Sequence, residues 1–289
     1  MNETEPVSGS GHAAARIEAG RNLVLRIASA LVLAPVALAA AYFNSWPFAL
    51  FWGAAAVAVV WEWTALVAGP GHRLLFSASG GAIAIAAIIA LLHRPIAAAL
   101  LIGLGAFAAA IFAARERRIW IIAGTAYAGV MLLAPVVLRD DPDYGFLAIL
   151  LLFAVVWTTD IVAYFAGRTI GGPKLWPAIS PKKTWSGAIA GALGATAAGV
   201  AVVRFSGAGL SEQPLAAICF WLSVMSQMGD MLESFIKRRF GAKDASHLIP
   251  GHGGAMDRLD GFWAAALAGC LVGLIRGGFD APARGLLLW

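Results

Sequence analysis

The chain has 289 residues, of which 60% are hydrophobic and only 13% charged, and its formal net charge is +5 at pH 7. Its mean hydropathy of +0.79 excludes an ordinary soluble domain, in which about a quarter of the residues are charged. Most of the chain is therefore expected to lie in lipid. The two cysteines, Cys219 and Cys270, fall within apolar segments and are expected to pack as small apolar side chains.

Apolar segments long enough to cross a bilayer recur along the chain, since one membrane-spanning helix needs about 20 apolar residues. They are too long and too continuously apolar for the strands of a membrane barrel. We therefore predict an all-α fold, a polytopic integral membrane bundle of about nine transmembrane helices. Residues 1–23 form a polar N-terminal tail. The predicted spans are 24–43, 48–68, 74–92, 96–114, 119–138, 145–166, 185–203, 214–234 and 262–280, divided into an N-terminal group (24–144) and a C-terminal group (145–289).

The basic residues indicate how the chain is oriented. With nine alternating spans, most of the 21 Lys and Arg residues fall in the N-terminal tail and in the loops on one side of the membrane. The other side includes the acidic turn from Asp140 to Asp143. Because Lys and Arg are retained on the cytoplasmic side during insertion, we expect the basic loops to face the cytoplasm, as in a bacterial inner membrane.

One predicted span carries a polar face. Asp230, Glu233, Ser234 and Lys237 follow one another at i, i+3, i+4 and i+7, which places them on one side of a helix. An ionisable residue within a span costs about 2.5 to 3.5 kcal/mol on insertion scales, so it normally faces a polar cavity or a partner. We predict that this face points into the bundle. The alternative is a structural Asp/Lys pair near the membrane interface.

The segment after this face is basic and then rich in glycine. Glycines let backbone N–H groups approach an anion, Lys and Arg neutralise phosphate oxygens, and carboxylates bind the accompanying Mg²⁺. Together they indicate a metal-bound phosphate substrate, whereas the basic residues alone would indicate a membrane anchor. The residues concerned are Arg238, Lys243, Asp244, His252, Gly253, Gly254, Asp257, Arg258 and Asp260.

A second polar region precedes the span at 185–203. Ser180, Lys182, Lys183 and Thr184 lead directly into it, so a hydroxyl can cap the helix while the lysines face an anion. A plain capped helix with an anchoring Lys pair is the alternative. Upstream, Asp160 and Tyr164 lie one turn apart and contribute either to this site or to a buried hydrogen-bonded pair. The sequence has neither a G-x-x-x-x-G-K-[ST] phosphate loop nor a G-x-G-x-x-G strand-to-helix turn.

Residues 234–260, SFIKRRFGAKDASHLIPGHGGAMDRLD, closely resemble the signature of the phosphatidate cytidylyltransferases. That signature is a serine, Lys-Arg, four residues, Lys-Asp, and then His-Gly-Gly and Asp-Arg-x-Asp. The segment 160–168 and the Ser-Pro-Lys-Lys-Thr block are similar to a second stretch of that family, so the resemblance covers roughly 150–275. Two positions depart from it: Ser186 stands where the family usually has Glu, and Ala255 replaces a larger apolar residue.

The resemblance implies transfer of CMP from CTP to phosphatidic acid, giving CDP-diacylglycerol and pyrophosphate for phospholipid biosynthesis. It places catalysis in residues 145–289, with Asp230, Asp257 and Lys237 as catalytic residues and Asp230, Asp257 and Asp260 as Mg²⁺ ligands. A second cation is left open. The substrate-binding residues implied are Ser180, Lys182, Lys183, Thr184, Ser234, Arg238, Lys243, Asp244, His252, Gly253, Gly254, Arg258, Asp160 and Tyr164.

The partners implied are CTP, phosphatidic acid and the lipid bilayer, with no nucleic acid, and a homodimer is compatible with the sequence. Two other functions remain open at this point. A CTP-dependent polyprenol kinase would transfer the γ-phosphate instead of the nucleotide. In an ion-coupled transporter, Asp160, Asp230 and Glu233 would form a pathway through the bundle.

Overall fold

The structure, a computed structural model, describes residues 31–43, 45–246, 248 and 253–289. The N-terminal tail, the first residues of the first predicted span and His252 lie outside the described residues. The described part is dominated by α-helices, which confirms the all-α class. In chain order the helices are α1 (Leu31–Phe43), α2 (Ser45–Ala68), α3 (His72–Leu91), α4 (Pro95–Phe112), α5 (Arg118–Arg139), α6 (Gly145–Thr169), α7 (Trp185–Phe205), α8 (Glu212–Arg239), α9 (Met256–Gly277) and α10 (Pro282–Leu287).

Seven helical segments of the described residues are long and apolar enough to cross a membrane. The first of these, Trp46–Leu91, contains both α2 and α3. These two helices pack against each other across the short 3-10 turn Gly69–Gly71. The chain is thus a polytopic membrane protein, while the number of nine spans stays a prediction, since the first span is described only from Leu31.

A small β-hairpin joins α6 to α7, a feature that the sequence analysis did not predict. Strand β1 (Lys174–Trp176) pairs antiparallel with β2 (Ser180–Thr184), with Lys174 opposite Thr184 and Trp176 opposite Ser180. The predicted cap is present, because the Thr184 hydroxyl accepts a hydrogen bond from the backbone N–H of Gly187 at 3.2 Å. The hairpin therefore ends in a fixed position at the start of α7.

Small residues let the C-terminal helices approach closely. A Cβ on Gly187 would lie 2.7 Å from the carbonyl oxygen of Ala163, and one on Gly191 would lie 2.9 Å from that of Thr159. The backbones of α6 and α7 are therefore almost in contact, as is common where membrane helices pack. Helices α7, α8 and α9 continue this arrangement. Cys219 and Cys270 are free thiols buried in it, which confirms their predicted packing role.

Candidate active site

One open cavity of about 840 Å³ lies among α6, the hairpin, α7, α8 and α9. Most of the residues singled out from the sequence line it, although they come from segments up to a hundred residues apart. Those that line it are Asp160, Tyr164, Lys182, Lys183, Thr184, Asp230, Ser234, Lys237, Asp257, Arg258 and Asp260. Ser180, Arg238, Lys243, Asp244, Gly253 and Gly254 are described but are not among the lining residues. The structure thus brings the two polar regions of the sequence together.

The polar face of α8 points into this cavity, as predicted. Its residues Asp230, Glu233, Ser234 and Lys237 all contribute to the lining. The same face contains a buried ion cluster, because the Lys237 ammonium lies 2.5 Å from a carboxylate oxygen of Asp257 and 2.7 Å from one of Glu233. The Lys237 side chain is only 12% exposed. Its charge is thus balanced within the protein.

Asp257 is held by donors on both carboxylate oxygens. One oxygen accepts the hydrogen bond from Lys237. The other accepts from the backbone N–H groups of Ala245 at 2.9 Å and Gly254 at 2.8 Å. Asp257 therefore ties the loop before α9 to the first turn of that helix. To act as a metal ligand as well, it would have to share or exchange one of these partners.

The side chain of Asp230 is more exposed to solvent than that of Asp257. Its carboxylate lies 2.5 Å from the ammonium of Lys183, on the hairpin, and the two side chains are 32% and 30% exposed. Asp160 and Asp260 line the same cavity as Asp230. Carboxylates from α6, α8 and α9 thus line one cavity, where a bound cation would offset their negative charge.

A sequence model of the cytidylyltransferase family matches residues 24–274 of this chain. The chain belongs to this family. A phosphatidate cytidylyltransferase of Brucella suis biovar 1 is 43% identical over 267 residues, which are 90% of this chain and 97% of that relative. The Brucella abortus biovar 1 enzyme of the same name is 44% identical over 260 residues, 88% of this chain and 94% of the relative. That of Haemophilus influenzae is 41% identical over 142 residues, about half of each chain.

The family assignment confirms the resemblance drawn from residues 150–275 and extends it to the N-terminal helices. It also identifies the chain as a nucleotidyltransferase. The cavity gives this cytidylyltransferase a place where carboxylates and basic side chains face one another.

The donor set of the cavity fits Mg²⁺, which is a hard cation and prefers oxygen ligands. Within the described residues, no three acidic, histidine or cysteine side chains are grouped closely enough to enclose a metal ion. Mg²⁺ in nucleotide enzymes usually takes one or two carboxylates and completes its coordination with water and substrate phosphates. Asp230 and Asp260 can serve in this way. One oxygen of Asp260 accepts from the backbone N–H of Gly261, and Asp230, which is 32% exposed, is engaged by Lys183 and, at 3.5 Å, by the hydroxyl of Ser234.

The rim of the cavity contains two cations that were not predicted as site residues, although Arg168 lies in the segment 160–168 that resembles the family. Arg168 and Lys174 both line it. The guanidinium of Arg168 donates a hydrogen bond of 3.0 Å to the hydroxyl of Tyr164. The alternative of a buried Asp160–Tyr164 pair is wrong, because Tyr164 is 59% exposed. The position of Arg168 two turns after Asp160 on α6 was the signal that could have identified it, whereas Lys174 lies on β1, which was not predicted.

Ser186, the main departure from the family pattern, lies outside the cavity lining. Its hydroxyl donates to the carbonyl of Gly171 and lies 3.0 Å from the hydroxyl of Thr184. The residue therefore fastens the start of α7 to the segment before the hairpin. A substitution of Ser186 is therefore expected to affect the position of the hairpin more directly than the cavity.

Two polar residues near the site were missed. Gln227 lines the cavity and donates to the carbonyl of Ala188 at 3.2 Å, one turn before Asp230 on α8. Glu62, on α2, is fully buried and contacts the loop before α9. The rule that a charge within a span needs a partner applies to Glu62 as it does to Asp230. This rule could have identified Glu62 as a residue with a buried partner. A single sequence, however, does not show which segment its carboxylate contacts.

Proposed function

We propose that this chain is a phosphatidate cytidylyltransferase. It transfers CMP from CTP to phosphatidic acid and releases CDP-diacylglycerol and pyrophosphate. The observation that carries the proposal is the cavity in which Asp230, Asp260 and Lys183 meet, in a chain similar over 90% of its length to a relative of that name. Acidic and basic side chains in one cavity are what a magnesium nucleotide requires.

In the proposed reaction, a phosphate oxygen of phosphatidic acid attacks the α-phosphorus of CTP. The bond from that phosphorus to the oxygen bridging the α- and β-phosphates breaks, and pyrophosphate leaves with the electron pair. No covalent enzyme intermediate is needed, so catalysis consists of positioning and charge neutralisation. Lys182, Lys183 and Arg258, which were predicted to bind substrate, line the cavity and are proposed to bind the phosphates; Arg168 and Lys174 line it as well.

The charge balance of the cavity supports a need for a divalent cation. Among the described lining residues, the five acidic side chains offset the charge of five of the six basic ones. Little positive charge therefore remains to balance a triphosphate and a lipid phosphate. Mg²⁺ held by Asp230 and Asp260, with Asp257 as the third predicted ligand, would supply that charge and polarise the phosphate oxygens. The basic residues are Arg168, Lys174, Lys182, Lys183, Lys237 and Arg258, and the acidic ones are Asp160, Asp230, Glu233, Asp257 and Asp260.

The position of the cavity suits a lipid substrate. On α6, Asp160 and Tyr164 line the cavity, while their neighbours Ile161 and Phe165 are 58% and 60% exposed. The lipid-facing side of α6 therefore lies next to the wall of the cavity. A phosphate head group can enter while its acyl chains stay in the bilayer. We place this opening at the cytoplasmic face of a bacterial inner membrane. The basic loops, which are expected to face the cytoplasm, cluster on the side of the chain that carries the cavity.

The test uses the purified full-length protein in detergent with phosphatidic acid, Mg²⁺ and CTP labelled on the α-phosphate. Wild type is expected to form labelled lipid, and Asp230→Asn is expected to lower kcat at least about a hundredfold, since it removes a charge aimed at the metal and phosphates. Asp143→Asn is the matched control, because Asp143 forms an exposed ion pair with Arg284 away from the cavity.

Three outcomes would contradict the proposal. Folded wild type that forms no labelled lipid would refute it directly. Label appearing in lipid from γ-labelled CTP instead would indicate a kinase. An Asp230→Asn variant as active as Asp143→Asn would exclude Asp230 from the reaction and remove the structural support for this cavity as the active site.

A further inference from the structure

Glu62 lies on α2, away from the cavity, yet it is fully buried. One of its carboxylate oxygens accepts hydrogen bonds from the Ser246 hydroxyl at 2.6 Å and from the backbone N–H of Ala255 at 2.8 Å. The other accepts from the backbone N–H of Met256 at 2.8 Å. Three donors from a segment almost two hundred residues later thus surround this carboxylate.

These contacts provide the N-terminal capping group that the sequence of α9 itself lacks. The first N–H groups of a helix have no partner within the helix, and its N-terminus carries a partial positive charge. The residue at the N-cap of α9 is Ala255, whose side chain accepts no hydrogen bond. Glu62 provides both the acceptor oxygens and the negative charge. A residue of α2 therefore caps α9.

The glycine before this helix is explained by the same contact. A Cβ on Gly254 would lie 2.7 Å from each carboxylate oxygen of Glu62. Gly254 also donates its N–H to Asp257. The loop is thus held between two carboxylates, Glu62 on the side of α2 and Asp257 on the side of the cavity. Only a residue without a side chain fits between them.

We propose that Glu62 is a positioning residue, which fixes the start of α9 and thereby holds Asp257 and Asp260 in the cavity. The N–H of Met256 that Glu62 binds belongs to the residue directly before Asp257. A shift of this peptide moves Asp257, its contact with Lys237 and, one turn later, Asp260. The proposal rests on the proposed function, since it concerns placement for that reaction, and Glu62 itself touches no substrate.

The test compares two substitutions on α2 in the purified full-length protein. Glu62→Gln keeps the size of the side chain but replaces one acceptor oxygen with an NH2 group, which in either orientation faces a backbone N–H donor, that of Met256 or that of Ala255. Thr64→Val is the matched control. Thr64 is equally buried, and its hydroxyl donates only to the carbonyl of Trp61 in the same helix, at 3.0 Å.

Two quantities are measured for each variant. The first is hydrogen–deuterium exchange by mass spectrometry over residues 245–258, which we expect to be faster in Glu62→Gln and unchanged in Thr64→Val. The second is kcat, normalised to folded protein, with KM for CTP. We expect kcat to fall at least about tenfold in Glu62→Gln, because a misplacement of about 1 Å costs on the order of a hundredfold. KM is expected to change less, since Glu62 does not contact the nucleotide.

Faster exchange with an unchanged kcat would overturn the proposal, because Glu62 would then only stabilise the loop. Unchanged exchange would overturn it as well. If Glu62→Gln does not fold, Ser246→Ala removes one of the three donors, and we expect a kcat two- to fivefold lower, the effect of about one hydrogen bond. An unaltered kcat in that variant refutes the proposal. Inactive wild type refutes the proposed function instead, and the exchange measurement then still reports whether Glu62 holds the loop.

Discussion

Lys237 allows the effect of burial on an ion pair to be measured within one site. Its ammonium lies 2.5 Å from Asp257 and 2.7 Å from Glu233, and the three side chains are 12%, 8% and 2% exposed. Lys237→Met keeps much of the apolar volume and leaves two buried carboxylates without their counter-charge. Removing one partner of a buried pair costs about 3 to 5 kcal/mol. We expect the free energy of unfolding of Lys237→Met to fall by that amount.

Lys183→Met is the matched comparison. Lys183 also lies 2.5 Å from its partner, Asp230, but these side chains are 30% and 32% exposed. Ion pairs that water reaches contribute about 0 to 1 kcal/mol, so this substitution is expected to cost no more than that. In the background of Lys237→Met, changing Glu233 to Gln should recover part of the loss, because it removes one of the two uncompensated charges.

The assay is reversible unfolding of the purified protein in mixed detergent micelles, followed by tryptophan fluorescence or circular dichroism. The double-mutant cycle gives the coupling between Lys237 and Glu233 directly. Equal costs for Lys237→Met and Lys183→Met, to within about 0.5 kcal/mol, would refute the reasoning, because the two contacts have the same length and differ in burial. A Glu233→Gln change that adds to the loss would refute it too.

Two further substitutions test how the helices around the cavity are held. Thr184→Val removes the hydroxyl that accepts from Gly187 and should lower the free energy of unfolding by about 1 kcal/mol, while Thr184→Ser retains the cap; equal stabilities of the two variants would contradict this. Gly229→Ala adds a Cβ that would meet the backbone carbonyl of Asp260 and lie 2.6 Å from the Cβ of Ala264, which should cost about 1 to 3 kcal/mol and reduce lipid synthesis by separating α8 from α9. Gly103→Ala, whose Cβ would meet nothing within 4 Å, is the control and should lower neither quantity, since Ala favours a helix more than Gly does.

The polar face of α8 could be predicted because the spacing of its residues within one helix is enough to define it. The spacing of Asp230, Glu233, Ser234 and Lys237 follows from the helical repeat, and the cost of a charge in lipid forces such a face toward other polar groups. The structure places all four in one cavity. A hydroxyl directly before an apolar run is a common helix start, which predicted a Ser or Thr cap before α7, and the structure shows that Thr184 provides it.

The hairpin between α6 and α7 could not be predicted in this way. Its strands have three and five residues, and β2 contains Pro181, two lysines and no apolar alternation. These residues show no strand pattern by themselves. They form a pair because the ends of α6 and α7 are held close together, through Gly187 against Ala163, and the connecting chain must fold back on itself. Tertiary packing therefore decided the local structure.

The N-terminal helices contribute no described residue to the cavity, yet they are part of the same enzyme. Trp63 donates to the carbonyl of Trp120 and fixes α2 against α5, and the stacked rings of Tyr127 and Trp263 join α5 to α9. Glu62, the neighbour of Trp63, then reaches the start of α9. A helix in lipid cannot rely on the hydrophobic effect to hold it against its neighbours, so such polar and aromatic contacts determine its position. The positions of the site residues on α8 and α9 therefore depend on the packing of α2 and α5 against them. For this reason a substitution of Glu62 is expected to shift Asp257.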